Sequence, residues 1–334
     1  MGRKAWLDIL KLIAMFLVVV YHTPPRYDNA HEAALFNMGA PVFFFAAGYL
    51  FDIARQQGFF AFLRHRARQI LVPYTTFFVL FYALWLVVGR HMAGPEEMEI
   101  GVLTPLWQFL QGTPDVVLGP FWFLAALFTM QLIYYPIRKY LGGGWPVVVA
   151  VLLSLSLFIM PDLPWLRYWN LDKALLYMPI YAVGNCCRQW IDKWDFTKVS
   201  GILLYDILAI VGLGFLMFAP LNINREVAYI LAPLAVILVL PLYTAVSKAL
   251  SGNRRLDRIA RVVAVASITY LGLQNYLIGI IKMVIAKVMG PQMWDDNLVL
   301  KVVVALGVMA ILYPIAVFFD RRFPWFLGKK TSTL

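Results

Sequence analysis

The sequence predicts an all-α polytopic membrane protein: a bundle of about ten transmembrane helices, both termini cytoplasmic, in a single domain over residues 1–334. Three observations carry this reading. Of the 334 residues, 62% are hydrophobic and only 14% charged, with a mean hydropathy of +0.73; soluble domains are about half apolar and a quarter charged. Apolar stretches close to bilayer-spanning length recur along the whole chain. The basic residues collect in alternate connections between those stretches.

The stretches fall near 5–22, 36–51, 70–88, 119–137, 144–160, 172–187, 199–219, 227–247, 264–285 and 298–319, against the ~20 residues that cross a ~30 Å hydrocarbon layer. The first follows Arg3-Lys4 and superficially resembles a secretory leader. Asp8 and Lys11 interrupt it, and Thr23-Pro24-Pro25-Arg26 offers no small-residue cleavage pattern, so it reads as a retained helix. Pro41, Pro73, Pro120 and Pro146 sit where stretches begin, as suits a residue with fixed φ and no N–H.

Connections on one side hold 20 of the 29 basic residues, including Arg64, Arg66, Arg68, Arg138, Arg188, Lys248, Arg254, Arg255, Arg258 and Arg261. By the positive-inside rule that side is cytoplasmic. The net charge of +11 therefore reads as topology, with no nucleic-acid partner expected. Cys186 and Cys187 are adjacent and suggest neither a disulfide framework nor a metal site. The longest external connection, roughly 89–118, carries Glu96, Glu97, Glu99 and Asp115; it reads as a solvated loop or as a lid over substrate.

The first span concentrates the chemistry. At ~100° per residue, Lys4, Asp8, Lys11, Met15, Val18 and His22 form one stripe. Ionisable groups facing lipid are costly, so the stripe must face protein or a wet cavity. Only His22 of the four histidines ends a span; His31, His65 and His91 fall in predicted loops. An imidazole with a reference pKa of ~6.5 exchanges protons near neutral pH. His22 thus reads as a general base or as an interfacial anchor. Lys11 reads as an ion-pair partner of Asp8, or as a contact for a phosphate or thioester carbonyl. The helical rise sets Lys11 and His22 ~16 Å apart along the axis, two stations on one path rather than a pair. Gln274-Asn275 in the ninth stretch reads as interhelical glue or as the lining of a polar cavity. P-loop, GxGxxG, GxSxG, HExxH and CxxC patterns are absent from the sequence.

The run Arg3-x4-Asp8-x2-Lys11-x10-His22 resembles the opening of the membrane acyltransferase-3 family, most closely its fucose 4-O-acetylase-like branch. Pro41-Val-Phe-Phe-Phe-Ala-Ala-Gly48-Tyr49-Leu-Phe51, Ile70-Leu-Val-Pro73-Tyr74 and Gly119-Pro-Phe-Trp122 resemble the family's next three helix starts in order. The resemblance implies transfer of an acyl group, usually acetyl, from cytoplasmic acetyl-CoA to a hydroxyl of a cell-surface or lipid-linked glycan, in a bacterial inner membrane and without a metal. It places His22 at the catalytic histidine position, with Lys11 and Asp8 beside it in the motif. Lys11 stands where many members have Arg, Ala47 where the motif usually has Ser, and Gln274-Asn275 where many relatives carry His. Lys11, Arg3, Arg66 and Arg68 are the expected acetyl-CoA contacts. Tyr49, Trp122, Gln274 and Asn275 are the candidate substrate or oxyanion groups. The rival reading is a secondary transporter or flippase for a lipid-linked or small anionic substrate, which accounts for intramembrane charge without catalysis.

Overall fold

A computed structural model describes residues 3–23, 38–90, 99–160, 163–194, 199–222, 225–290 and 298–334. His31, His91, Glu96 and Glu97 lie outside these ranges. The described residues form helices and short connections, with no strand among them.

The order is α1 (Ala5–His22), α2 (Gly39–Leu50), α3 (Phe59–Leu84, continued by a π turn to Gly89), α4 (Thr104–Gln111), α5 (Asp115–Leu118), α6 (Trp122–Tyr140), α7 (Trp145–Leu155), α8 (Leu171–Cys186), α9 (Arg188–Lys193), α10 (Val199–Asn222), α11 (Arg225–Leu250), α12 (Arg254–Val265), α13 (Ser267–Met289) and α14 (Leu298–Arg322). Among the described residues six segments are long and apolar enough to cross a membrane: Ala5–His22, Phe59–Gly89, Asp115–Tyr140, Val227–Leu250, Ser267–Val288 and Leu298–Arg322. Shorter apolar helices run over Gly39–Leu50, Trp145–Phe158 and Leu204–Phe218.

Three expectations change. The third stretch is helical from Phe59, so Pro73 lies inside the helix and His65 on it rather than in a loop. The segment 59–69 escapes an apolar-run reading because Arg64, Arg66 and Arg68 break it. The ninth stretch is α13, which begins at Ser267 rather than 264; residues 264–265 instead close α12, a separate helix over the preceding basic connection, capped at Ala266 (φ −104°, ψ 19°). Ala266 and Ser267 carry no strong breaking signal, so the sequence conceals the joint.

α1 is the central post, packed against α2, α11, α12, α13 and α14. Leu10, Ala14, Val19 and Val20 are wholly buried, which is why a helix carrying Asp8 and Lys11 can persist at membrane depth. α2 runs antiparallel to it. Gly39 starts α2 so close to α1 that a Cβ would stand 2.5 Å from Val18 Cγ2 and 2.7 Å from the Ala14 carbonyl. At the far end, the Trp6 and Tyr49 rings meet edge to face at 5.1 Å. α2 and α8 touch through glycine from both sides. A Cβ on Gly48 would lie 1.9 Å from Tyr181 O, and one on Gly184 2.3 Å from Phe45 O. Asn185 closes that contact, donating from Nδ2 to Gly48 O (3.2 Å) and Phe51 O (2.7 Å), carbonyls at the C-terminal end of α2.

Candidate active site

The stripe on α1 faces two cavities, one at each end of the helix. Arg3, Lys4, Asp8 and Lys11 line the cavity at the basic end, together with Tyr49, Asp52 and Arg55 after α2 and with Ala264 and Val265 at the end of α12; it holds about 810 Å³ of space. Met15, Val18, Tyr21 and His22 line the second, which holds about 650 Å³. Its other walls are Gly39, Ala40 and Phe43 of α2, the Pro120–Leu124 segment, and Ser267, Ile268 and Leu271 of α13. Their linings come within one turn of each other on α1. Lys11 and Met15 are one helical turn apart (~6 Å), and Val265 and Ser267 flank the break at Ala266.

His22 has a defined tautomer. Its Nδ1 lies 2.7 Å from the Val18 carbonyl. A carbonyl oxygen only accepts, so Nδ1 carries the hydrogen and the neutral ring keeps its lone pair on Nε2. The Tyr21 ring meets the imidazole edge-on at 5.4 Å. Across the cavity, Trp122 belongs to an aromatic group with Phe44, Phe123 and Tyr177, and Phe44 stacks on Tyr177 at 5.2 Å. On Trp122 rests the Lys173 ammonium, 4.7 Å from the ring centroid and held by Asn170 Oδ1 at 2.8 Å. This end is apolar and aromatic, with an imidazole at its rim.

The basic end is a charge network. Asp8 accepts from Arg3 Nε at 2.6 Å, so the expected Asp8–Lys11 pair gives way to an Arg3–Asp8 pair, leaving Lys11 turned to the same cavity. Lys4 and Tyr49 both donate to Asp192. Asp52 pairs with Arg55 (3.2 Å) and with Arg188 (3.7 Å). Burial alone would raise the Asp192 carboxyl. The hydrogen bonds from Lys4 and Tyr49 and the charges of Lys4 and Arg188 outweigh it, holding that carboxyl below its usual range.

The remaining candidates separate. Trp122 shares the cavity of His22, whereas Tyr49 does not: α2 descends antiparallel to α1, so its last turn lies beside Lys4 and Lys11. Gln274 is fully buried, and neither atom of its amide has a partner among the described residues. It lies one turn beyond Leu271 on the helix that walls the His22 cavity. Asn275 is exposed, because consecutive helical residues point ~100° apart. Arg66 and Arg68 diverge for the same reason. Arg68 lines a third cavity with His65, Gln69 and the C-terminal Gly328–Thr333 segment and donates to Gly328 O at 3.2 Å. Arg66 turns inward, packs over Phe62 (5.6 Å) and bonds Gln69 (3.0 Å); it lines neither basic cavity.

Sequence reasoning anticipated a shared face of Ser267, Tyr270, Leu271 and Gln274 as interhelical glue or a cavity lining, and Ser267 and Leu271 do line the His22 cavity. It missed Asp192 as the anchor of Lys4 and Tyr49, which depends on contacts between distant segments. Only the identity of Asp192 as an acid beside Lys193 was visible.

A family model described as an acyltransferase domain, that of the acyltransferase 3 family, matches residues 4–320. The chain belongs to the acyltransferase 3 family. No curated protein and no solved structure matches it. The match runs from Lys4 to Asp320 in the last turn of α14, so it covers the whole lining of the His22 cavity and all of the basic cavity but Arg3. Membership makes the chain a membrane acyltransferase acting on a hydroxyl. Its apolar helices make it an integral membrane protein.

Proposed function

We propose that the protein transfers an acetyl group from cytoplasmic acetyl-CoA to a hydroxyl of a cell-surface or lipid-linked glycan, with His22 as general base. The observation that carries this reading is that one helix lines both cavities, cationic around Lys11 and apolar around His22. In this reading the chain crosses the membrane ten times with both termini cytoplasmic, in a bacterial inner membrane, and the basic cavity opens to the cytoplasm.

Acetyl-CoA joins a polyanionic nucleotide to a long thin arm ending in the thioester. The cations Arg3, Lys4, Lys11 and Arg55 around one cavity fit its phosphates. The arm then passes the one-turn partition beside Ala266 and delivers the thioester to His22. There Nε2 takes the proton of the acceptor hydroxyl while its oxygen bonds to the thioester carbon. The C–S bond breaks, and CoA leaves as the thiol after taking the proton back from the imidazolium. Trp122 Nε1–H, on the cavity wall, and the buried Gln274 amide, one turn beyond Leu271, are the candidate donors for the developing oxyanion. Water is held off by the aromatic wall of Phe43, Trp122 and Phe123.

The test is release of free CoA thiol from acetyl-CoA by the purified full-length protein, with and without candidate surface glycans. Glycan-dependent thiol release is expected. Absence of thiol release with every glycan, together with absence of acetyl-CoA binding, would overturn the reading.

A further inference from the structure

A third kind of cavity lies at the His22 end, and none of the preceding chemistry uses it. It holds about 620 Å³ and is lined by Gln108, Gln111, Thr113, Asp115, Arg167 and Tyr168, with Pro164 at its edge. Where the His22 cavity is apolar, this one gathers two amides, a hydroxyl, a carboxylate, a guanidinium and a phenol. That set both donates and accepts, as hydroxyl groups require, since each hydroxyl does both. Among the described residues, the amide of Gln111, the carboxylate of Asp115, the guanidinium of Arg167 and the hydroxyl of Tyr168 have no hydrogen-bond partner.

The cavity is built rather than incidental. Asn170, 2% exposed, donates from Nδ2 to Gly112 O at 2.6 Å and so bolts the 163–170 segment to the end of α4. Gly112 has φ +78°, and a Cβ there would stand 2.7 Å from Trp169 Cα. Trp169 and Asn170 are themselves left-handed, at φ 53° and 48°, a conformation that the bulky Trp169 adopts only where its surroundings hold it. Thr129 Oγ1 secures the Trp169 carbonyl at 2.9 Å, and Val116 N donates to Gln108 Oε1 at 3.1 Å, fixing one amide in place.

The cavity also adjoins the one that holds His22. Asp115 lies five residues before Pro120, which lines the His22 cavity. Lys173, electrostatically drawn to Asp115, lies over Trp122 on the same wall. From this geometry we propose that the polar cavity holds the polyhydroxylated, saccharide-like body of the acceptor, directing one hydroxyl past the Asp115–Trp122 turn toward His22. Gln111, Arg167 and Asp115 bond ring hydroxyls, and the Tyr168 ring, about half exposed, supplies a stacking face. The assignment rests on the reading of the protein as an acetyl-CoA-dependent transferase.

The test uses the full chain in lipid nanodiscs and two independent readouts: retention on a printed array of defined mono- to tetrasaccharides, and acetyl-CoA binding by calorimetry. Wild type should retain at least one saccharide group, and Gln111→Ala and Arg167→Ala should each lower that retention at least tenfold. Tyr168→Phe, which removes only a hydroxyl, serves should either variant fail to keep its melting temperature, and should lower retention severalfold. Retention unchanged in all folded variants, or no saccharide retained by wild type, overturns the proposal. Retention that the variants lose, in a wild type that binds no acetyl-CoA, supports this site while overturning the donor reading.

Discussion

Lys11 and His22 lie ~16 Å apart along α1, and the cavities around them are made of opposite materials. Around Lys11 the cavity is walled by Arg3, Lys4, Asp8, Asp52 and Arg55, and charges answer one another across three chain segments. Around His22 the walls are Met15, Val18, Phe43, Trp122 and Phe123, with one imidazole at the rim. A cationic basin suits a phosphorylated donor, since it attracts anions and remains wet. A dry aromatic pocket suits proton and acyl transfer, where a fixed lone pair and excluded water raise the worth of every dipole. In the proposed reaction binding and chemistry fall to different parts of the same helix, so substitutions at Lys11 and His22 should produce different defects.

The largest expected effect is at the His22 end. His22→Ala should lower acceptor-dependent thiol release by about 10²–10⁴-fold, the usual worth of a positioned base, while leaving acetyl-CoA affinity within about twofold by calorimetry. A Lys11→Ala change should do the reverse. It removes one cation from the basin, so acetyl-CoA Kd should rise about tenfold, the ~1.4 kcal/mol of one charge-assisted contact, with Lys11→Arg restoring much of it. An unchanged Kd in Lys11→Ala would break the comparison.

Below these in size come two tests of how the ends are held together. Gly48→Ala places a Cβ 1.9 Å from Tyr181 O, a backbone atom that cannot swing away. The α2–α8 contact should open at a cost of about 1–3 kcal/mol, read as a lower melting temperature in detergent. Gly307→Ala, at a glycine with open space around it, is the matched control and should hold its melting temperature.

The smallest effect concerns acid. The Asp192 carboxyl is held below its ordinary value by Lys4 and Tyr49. A carboxyl depressed in the folded state stabilises above its unfolded pKa and loses that contribution as pH falls through the folded value. Wild type should therefore lose melting temperature below about pH 4, and Asp192→Asn should show a shallower loss over the same window. Parallel pH curves would contradict the anchoring role.

Much of this site was legible on one helix and little of it between helices. The stripe Lys4–Asp8–Lys11–Met15–Val18–His22 follows from helical period alone, and all six residues line one cavity or the other. The same period separates Gln274 from Asn275 and Arg66 from Arg68, although sequence reading paired them by proximity. Of the two readings of Lys11, the ion pair with Asp8 gives way because Arg3, just before α1, bonds Asp8 instead. The Ala266 joint, the Asp192 anchor and the polar cavity between α4 and residues 163–170 are products of long-range packing. No local pattern of apolar or charged residues encodes them.

The most direct test of the division between the two ends is a kinetic split with acetyl-CoA and a saccharide acceptor, comparing wild type, Lys11→Ala and His22→Gln. Lys11→Ala should raise the acetyl-CoA KM with kcat largely kept, and His22→Gln should abolish kcat with acetyl-CoA Kd unchanged. Equal loss of acetyl-CoA binding in both variants, or a His22→Gln protein that turns over at the wild-type rate, would contradict it.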